Sequence, residues 1–170
     1  GYDITYYLDN FEYVRDSHTV RYTGSINFIR DLAVDEESRE KYLRRRIIVY
    51  KGSCKHFFRA LWTNSLKVSG FTMKNYNTEQ PLFCKQIVFS DSLDRKYLQY
   101  DEDMAIYYGK YIDFITYVRF LKEKVYFEQD GFFDPTAILW TGTMATQRIA
   151  DFLPYEYTPL KKPDFQDLSD

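Results

Sequence analysis

The residues best suited to chemistry in this chain of 170 residues lie within the stretch GSCKHFFRAL, residues 52–61. Ser53 can cap a helix, and His56 and Arg59 follow it at a spacing of three residues. Side chains three apart on a helix face the same neighbour. We therefore expect His56 and Arg59 to pair with a carboxylate and hold the helix on a sheet, with Glu156 as the candidate partner. These four residues are the candidate binding or structural set.

No complete catalytic motif accompanies that set in the sequence. Cys54 and His56 are two residues apart, which separates them by about 200° around a helix and prevents a nucleophile–base contact. The sequence contains no His-Glu-x-x-His zinc motif, no Gly-x-Ser-x-Gly elbow and no phosphate-binding glycine loop. We predict a protein that is not an enzyme, with no catalytic residue, no metal site and no cofactor. Acidic residues in the segment 91–103 leave a paired-carboxylate glycosidase open.

Aromatic residues are unusually frequent, with 17 tyrosines, 14 phenylalanines and 2 tryptophans making up 19% of the chain. Such residues favour strands, so they indicate a β-rich core, and an aromatic platform for sugars or peptides is the alternative. A net charge of −2 argues against nucleic acid as a partner. No apolar run reaches the length of about 18 residues that a membrane span needs, so we predict no transmembrane segment in this chain.

The two cysteines and the basic helices leave alternatives open. Cys54 and Cys84 can be free thiols, a disulfide or, with the two histidines, part of a metal site. Basic side chains concentrate between residues 41 and 59, where they indicate a solvated helix face. Docking on anionic lipid headgroups or on an acidic partner is the alternative interpretation.

Hydrophobic periodicity predicts an α+β fold. Residues 2–14 and 19–29 alternate as an antiparallel hairpin, with a bulge near Asp9 and Asn10, where the apolar positions shift by one. Asp35 is expected to cap a helix that ends near residue 50, and Ser53 a second helix that ends at Gly70. Further strands are predicted over 71–76, 84–90, 104–108, 111–120, 124–128 and 135–141, with loops over 77–82 and 91–103, a short helix over 144–153 and an extended segment over 155–159.

These elements predict a largely antiparallel sheet with two main helices packed on one face and a short C-terminal helix. The other face of such a sheet can meet solvent, where surplus tyrosines become available for binding. We expect a single domain over residues 1–159 and a mobile polar tail over residues 160–170. Because the chain opens inside a strand pattern, we expect a domain excised from a longer protein.

Three ordered segments carry a family resemblance over nearly the full length. They are GYDITYYL with Phe11 at the start, RR through YKGS to HFFRAL in residues 45–61 followed by Gly70-Phe71, and IADFLPYEY in residues 149–157. With these segments the chain resembles the region downstream of the carboxypeptidase-regulatory-like domain in exported Bacteroidetes proteins. Cys54 departs from the pattern of the middle segment, so no role is carried over to it.

The resemblance implies an exported protein of the periplasm, outer membrane or cell surface, with a preceding Ig-like sandwich domain as a partner. It implies no peptidase activity, since the family name refers to a non-catalytic accessory domain. We therefore expect a non-enzymatic cell-envelope interaction module that binds protein or glycan. The alternative is a carbohydrate-active protein, either a glycan-binding domain or a cryptic hydrolase.

Overall fold

The computed structural model describes residues 1–16, 19–109 and 114–159. Within them the fold is α+β with antiparallel strand pairing, which confirms the predicted class. The predicted mobile tail, residues 160–170, lies outside the described residues. The elements are β1 (Tyr2–Val14), β2 (Thr19–Asp31), α1 (Glu36–Tyr50), α2 (Cys54–Trp62), β3 (Phe71–Asn75), β4 (Pro81–Leu82), α3 (Cys84–Ile87), β5 (Val88–Ser90), β6 (Lys96–Leu98), β7 (Met104–Tyr108), β8 (Ile115–Phe120), β9 (Val125–Phe127) and β10 (Ile138–Gly142).

The strands of the described residues form three sheets. One has five strands in the order β10-β8-β7-β3-β4, and one has three strands in the order β5-β6-β9. The third is the predicted hairpin of β1 and β2, whose register shifts between Leu8 and Asn10, as the bulge prediction requires. The hairpin is a sheet of its own, which we call the ribbon.

Helix α2 connects the two larger sheets through its aromatic side chains. Phe57 and Phe58 are fully buried. The ring of Phe57 lies 5.4 Å from the ring of Phe71 on β3, and the ring of Phe58 lies 5.3 Å from that of Phe127 on β9. The apolar side chains of this helix, which recur at the i, i+4 spacing, therefore pack on β-structure.

Helix α1 is capped as predicted but contributes little to the interior. The Asp35 carboxylate accepts a hydrogen bond of 2.7 Å from the backbone N–H of Ser38. Arg46 and Tyr50 are its buried residues, and the remaining helix surface is exposed or partly exposed. The predicted basic face of α1 is thus largely solvated.

Several predicted boundaries are wrong for local reasons. Helix α2 ends at Trp62 rather than Gly70, because the Thr63 hydroxyl donates to the Arg59 carbonyl and Asn64 adopts a positive φ of 52°. The strand predicted over 84–90 begins with the short helix α3, where the Gln86 side chain accepts a hydrogen bond from the Phe83 N–H.

Other polar segments also differ from the expectation. The predicted loops contain the short strands β4 and β6, and the predicted extended segment over 155–159 includes a turn. The predicted helix over 144–153 is two separate 3₁₀ turns, Thr143–Thr146 and Ile149–Asp151. Hydroxyl-to-backbone bonding, such as that from Thr146 to the Thr143 carbonyl, favours tight turns over a continuous helix.

Replacing Phe58 by alanine is expected to lower the free energy of unfolding by about 3–5 kcal/mol, because it removes a fully buried ring that contacts Phe127 of β9 and Trp140 of β10, one from each larger sheet. Urea unfolding monitored by circular dichroism measures this loss. The control is Phe11→Ala, which removes a ring that is 58% exposed and should cost much less. Equal losses in the two variants would contradict the proposed role of α2.

Candidate functional site

The candidate residues on α2 are positioned by a tight junction between α1 and α2. Gly52 adopts a φ of +76°, and a β-carbon there would come within 2.7 Å of the Tyr108 ring. Only glycine fits both constraints without strain. Ser53 then caps α2 as predicted, because its hydroxyl accepts a hydrogen bond of 3.1 Å from the His56 N–H. The Ser53 side chain is thereby committed to the helix end.

His56 lies among aromatic rings rather than beside a carboxylate. Its ring centroid is 4.8 Å from that of Tyr50 and 4.9 Å from that of Phe71. Its Nδ1 accepts a hydrogen bond of 3.2 Å from the Gly52 N–H. Burial, followed by the positive charges of Lys51 and Arg59, lowers the pKa of His56 to about 4. The imidazole is therefore neutral at pH 7, and the expected pairing of His56 with a carboxylate is wrong.

Arg59 binds backbone carbonyls around the predicted partner instead of its carboxylate. The guanidinium donates through Nη2 to the Tyr155 carbonyl at 2.6 Å and through Nη1 to the Tyr157 carbonyl at 2.7 Å. Its Nε donates to the Asp130 carbonyl at 2.8 Å. Glu156 lies between the two tyrosines, but its side chain is exposed. The sequence identified the correct segment for Arg59 and the wrong acceptor within it.

Lys55 is a member of this cluster that the sequence reasoning missed. Its ammonium group donates to the carbonyls of Leu153 and Pro154, the latter at 2.8 Å, and lies 4.4 Å from the centre of the Tyr155 ring. Desolvation and then the charge of Arg59 lower the pKa of Lys55 to about 7. The available signal was its position one helical turn before Arg59, which places both cations on one face.

Lys55 and Arg59 together hold residues 153–157, which we call the C-terminal strap, against α2. Tyr157, the last residue of the strap, adds an aromatic contact, because its buried ring lies 5.8 Å from the ring of Tyr50. Gly131 also packs closely on α2, because a β-carbon there would approach the Lys55 carbonyl oxygen to 2.7 Å. The sequence-predicted set Ser53, His56 and Arg59 thus lies together, with the strap backbone rather than Glu156 as its partner.

The cluster lacks the arrangement of an activated nucleophile. The Ser53 oxygen accepts the helix-capping hydrogen bond, and the Nδ1 atom of His56 is occupied by the Gly52 N–H. Both Cys54 and Cys84 are free thiols, and burial raises the pKa of Cys54 to about 12. A thiol with so high a pKa is a poor nucleophile at neutral pH. What the arrangement can do is fix the strap to the helix.

Within residues 1–16, 19–109 and 114–159, no group of three or more His, Cys, Asp or Glu side chains is placed to hold a metal ion. In the same part of the chain, no helix combines the length and apolar character needed to cross a membrane.

The ribbon presents a second candidate surface. The bulge at Asp9 resets the strand alternation, so that the apolar residues of β1 before and after it face the same side as those of β2. We call this side the apolar ribbon face; its residues are Ile4, Tyr6, Leu8, Phe11, Tyr13, Val20, Tyr22, Ile26 and Phe28. The ring contact of 6.1 Å between Tyr6 and Tyr22 crosses this face.

Much of the apolar ribbon face is open to solvent in the described residues. Leu8 and Phe11 are 55% and 58% exposed, and Tyr13 and Val20 are each 49% exposed. At the other end of the ribbon, Arg46 of α1 lies 4.0 Å from the centre of the Tyr2 ring and is hydrogen-bonded to Asp31, which joins the ribbon to α1. The ribbon therefore contacts α1 at the end that contains Tyr2 and Asp31, and it is exposed toward the end that contains Tyr13 and Val20.

Comparison of the chain with known proteins identifies no relative. No protein-family model, no curated protein and no solved structure matches the chain. The family resemblance inferred from the sequence therefore stays a prediction.

Replacing Arg59 by leucine is expected to destabilise the protein by about 2–4 kcal/mol, because three carbonyls, two of them in partly buried hydrogen bonds, lose a charged donor. Chemical unfolding monitored by circular dichroism gives the value. Arg44→Leu, which removes an exposed arginine of α1, is the matched control and should change stability little. Glu156→Gln should also be nearly neutral; a loss as large as that of Arg59→Leu would restore the carboxylate as the partner.

Acid should destabilise the protein through His56. The pKa of the folded state is about 4 and that of a free histidine is 6.5, so the unfolded chain takes up this proton first as the pH falls. Stability from this group is present above about pH 6.5 and is lost between about pH 6.5 and 4. Unfolding curves should show a shallower decline in His56→Gln over that window. A His56 NMR signal that titrates near 6.5 would refute the prediction.

Proposed function

We propose that this chain is a non-enzymatic interaction module of an exported cell-envelope protein and that it binds a protein partner through the apolar ribbon face. The observation that carries the proposal is the continuous row of apolar side chains on a two-stranded sheet, left open at Leu8, Phe11, Tyr13 and Val20. Contiguous exposed apolar surface of this kind marks interaction sites in soluble domains.

The architecture of the ribbon favours a partner for an energetic reason. A two-stranded sheet alone is marginally stable in water, and a hydrophobic face gains free energy only when another layer covers it. The ribbon strands are 13 residues long, so at about 3.4 Å per residue the face extends about 44 Å. A partner that covers this face would both stabilise the ribbon and gain a long apolar contact.

The charged groups support a binding role more than a catalytic one. Hydrogen bonds from the Arg148 side chain lower the pKa of Asp151, and those from Thr136 and then Lys122 lower the pKa of Asp134. A general acid of a glycosidase needs the opposite shift. Together with the committed hydroxyl of Ser53 and the neutral His56, this favours a module without turnover. Export and a neighbouring Ig-like sandwich domain rest on the sequence resemblance alone.

A photo-crosslinking experiment tests the ribbon. A photoreactive phenylalanine analogue replaces Phe11 on the apolar ribbon face or Tyr7 on the opposite face, where both native side chains are 58% exposed. In cells that produce the full-length protein, the probe at position 11 should give a discrete protein adduct. The adduct should be absent with the probe at position 7, because only one face is apolar.

Two results would count against the proposal. Adducts of equal yield from positions 7 and 11 would indicate collisional labelling of an exposed hairpin, and no adduct from position 11 would indicate a face without a protein partner. Robust turnover of peptide, ester or glycoside substrates by the purified protein would overturn the non-enzymatic assignment.

A further inference from the structure

The five-stranded sheet has one face covered by α2 and one face turned to solvent. Strand alternation and the observed register place a mixed set of side chains on the open face: Thr72, Lys74, Ala105, Tyr107, Ile115, Tyr117, Arg119, Leu139 and Thr141. Of these, Thr72, Tyr117, Arg119 and Thr141 are exposed, whereas the small Ala105 is buried. The buried residues Met73, Ile106 and Val118 alternate with them and face the core. The open face thus carries tyrosines and charged groups that the core does not use.

Two tyrosines form a corner on that face. The rings of Tyr76, just beyond β3, and Tyr117 on β8 lie 5.3 Å apart at an angle of 86°. Tyr76 is 51% exposed and Tyr117 is 40% exposed. The two rings line a shallow cavity of about 220 Å³ together with Asp103, Val118, Arg119, Leu139 and Thr141. One ring is therefore a floor and the other a wall for a small ligand.

Polar groups surround this corner in a neutral arrangement. The Arg119 guanidinium donates to the Asp103 carboxylate through Nη2 at 2.9 Å and through Nε at 3.1 Å. Its remaining Nη1 makes no hydrogen bond within the described residues, and neither do the hydroxyls of Tyr76, Tyr117 and Thr141. The corner therefore combines aromatic faces, uncommitted donors and acceptors, and no unbalanced charge.

We propose that the Tyr76–Tyr117 corner is a binding site for a neutral glycan. The face of an aromatic ring carries partial negative charge, which matches the C–H face of a sugar ring. The hydroxyls on the edge of that sugar ring match the carboxylate–guanidinium pair and the Thr141 hydroxyl, each of which offers donors or acceptors at fixed positions. Because Asp103 and Arg119 balance each other, the site favours an uncharged polyol over an ionic ligand.

The geometry argues against an extended peptide as the ligand. A peptide that adds to a sheet needs an open strand edge, but Tyr117 lies on β8, which is hydrogen-bonded to β7 and to β10, so the free edge of β10 is one strand away from the Tyr117 ring. The cavity is also smaller than the pockets of about 300–1,000 Å³ that enclose drug-sized ligands. A single sugar unit of a longer chain, held on the open face, fits both constraints.

This site is separate from the apolar ribbon face and does not depend on the protein partner proposed for it. Both rings of the corner are exposed and lie outside the core, whereas Thr116 and Val118, on either side of Tyr117 in β8, are buried. Loss of glycan binding on substitution would therefore report on the site rather than on the fold.

The test is an NMR titration of the isotope-labelled protein with cellohexaose, chitohexaose and mannohexaose. At least one of these probes should bind saturably and shift the backbone signals of Tyr76, Asp103, Tyr117, Arg119 and Thr141. Tyr117→Ala should weaken that binding by about tenfold, because it removes a stacking surface. Tyr76→Ala, in a loop rather than a strand, should act similarly and keeps the test valid if the first variant unfolds.

The matched control is Tyr13→Ala, which removes a tyrosine of similar exposure, 49%, from the ribbon. It should leave glycan affinity unchanged within a factor of about two. The inference is overturned if none of the three hexasaccharides binds, if the shifts fall elsewhere, or if all three variants bind equally well. A ribbon without a protein partner would leave these outcomes unaffected, so the two proposals fail independently.

Discussion

Burial of the aromatic ridge on α2 is the constraint on which the rest of the structure depends. Phe57, Phe58 and Leu61 are at most 1% exposed, although the helix has only nine residues. A helix this short is not stable alone, so its stability comes from packing. Phe71 of the five-stranded sheet and Phe127 of the three-stranded sheet both contact the ridge. Neither sheet can therefore shift without exposing the same rings.

The other side of α2 carries the positively charged Lys55 and Arg59, which donate hydrogen bonds to backbone carbonyl oxygens. Removing Lys55 and Arg59 from water is costly unless hydrogen bonds compensate, and the strap supplies four carbonyl acceptors, from Leu153, Pro154, Tyr155 and Tyr157. The Asp130 carbonyl adds a fifth. Backbone carbonyls supply the hydrogen-bond acceptors, and the carboxylates of Asp130 and Glu156 act on Lys55 only through their charge, which favours its protonated form. Glu156 can therefore remain exposed. Arg59 therefore has a structural role in holding the strap, and His56 is held by the Gly52 N–H and by neighbouring aromatic rings.

Within the described residues, two faces of β-structure carry exposed aromatic side chains suited to binding. The ribbon offers an elongated apolar face, and the five-stranded sheet offers a small aromatic and polar corner. They differ in chemistry: the first gains from excluding water over a long row of side chains, whereas the second offers stacking and hydrogen bonds to a small ligand. The excess of tyrosine in the composition is thus divided between core margins and exposed surfaces.

The extent to which the sequence predicted this structure varied with the range of the interaction. The Asp35 and Ser53 caps, the ribbon and its bulge follow from residues close in sequence, and each is confirmed. Boundaries failed where side chains bond to nearby backbone groups, as at Thr63 and Gln86, because such bonds compete with regular elements. The prediction that Arg59 pairs with the Glu156 carboxylate was wrong, because the sequence does not specify whether a carboxylate or a backbone carbonyl comes within hydrogen-bonding distance.

The sequence by itself determined the fold class, the helix starts and the two-sided character of the ribbon, since periodicity and capping depend on neighbours within a few residues. Only the tertiary structure decided that Lys55 and Arg59 hold the strap, that His56 is neutral among aromatic rings, and that Tyr76 meets Tyr117. The strap contacts and the Tyr76–Tyr117 contact join residues about 40 to 100 positions apart, and the His56 ring meets Tyr50 and Phe71 from two other elements, so their geometry depends on how strands and helices pack.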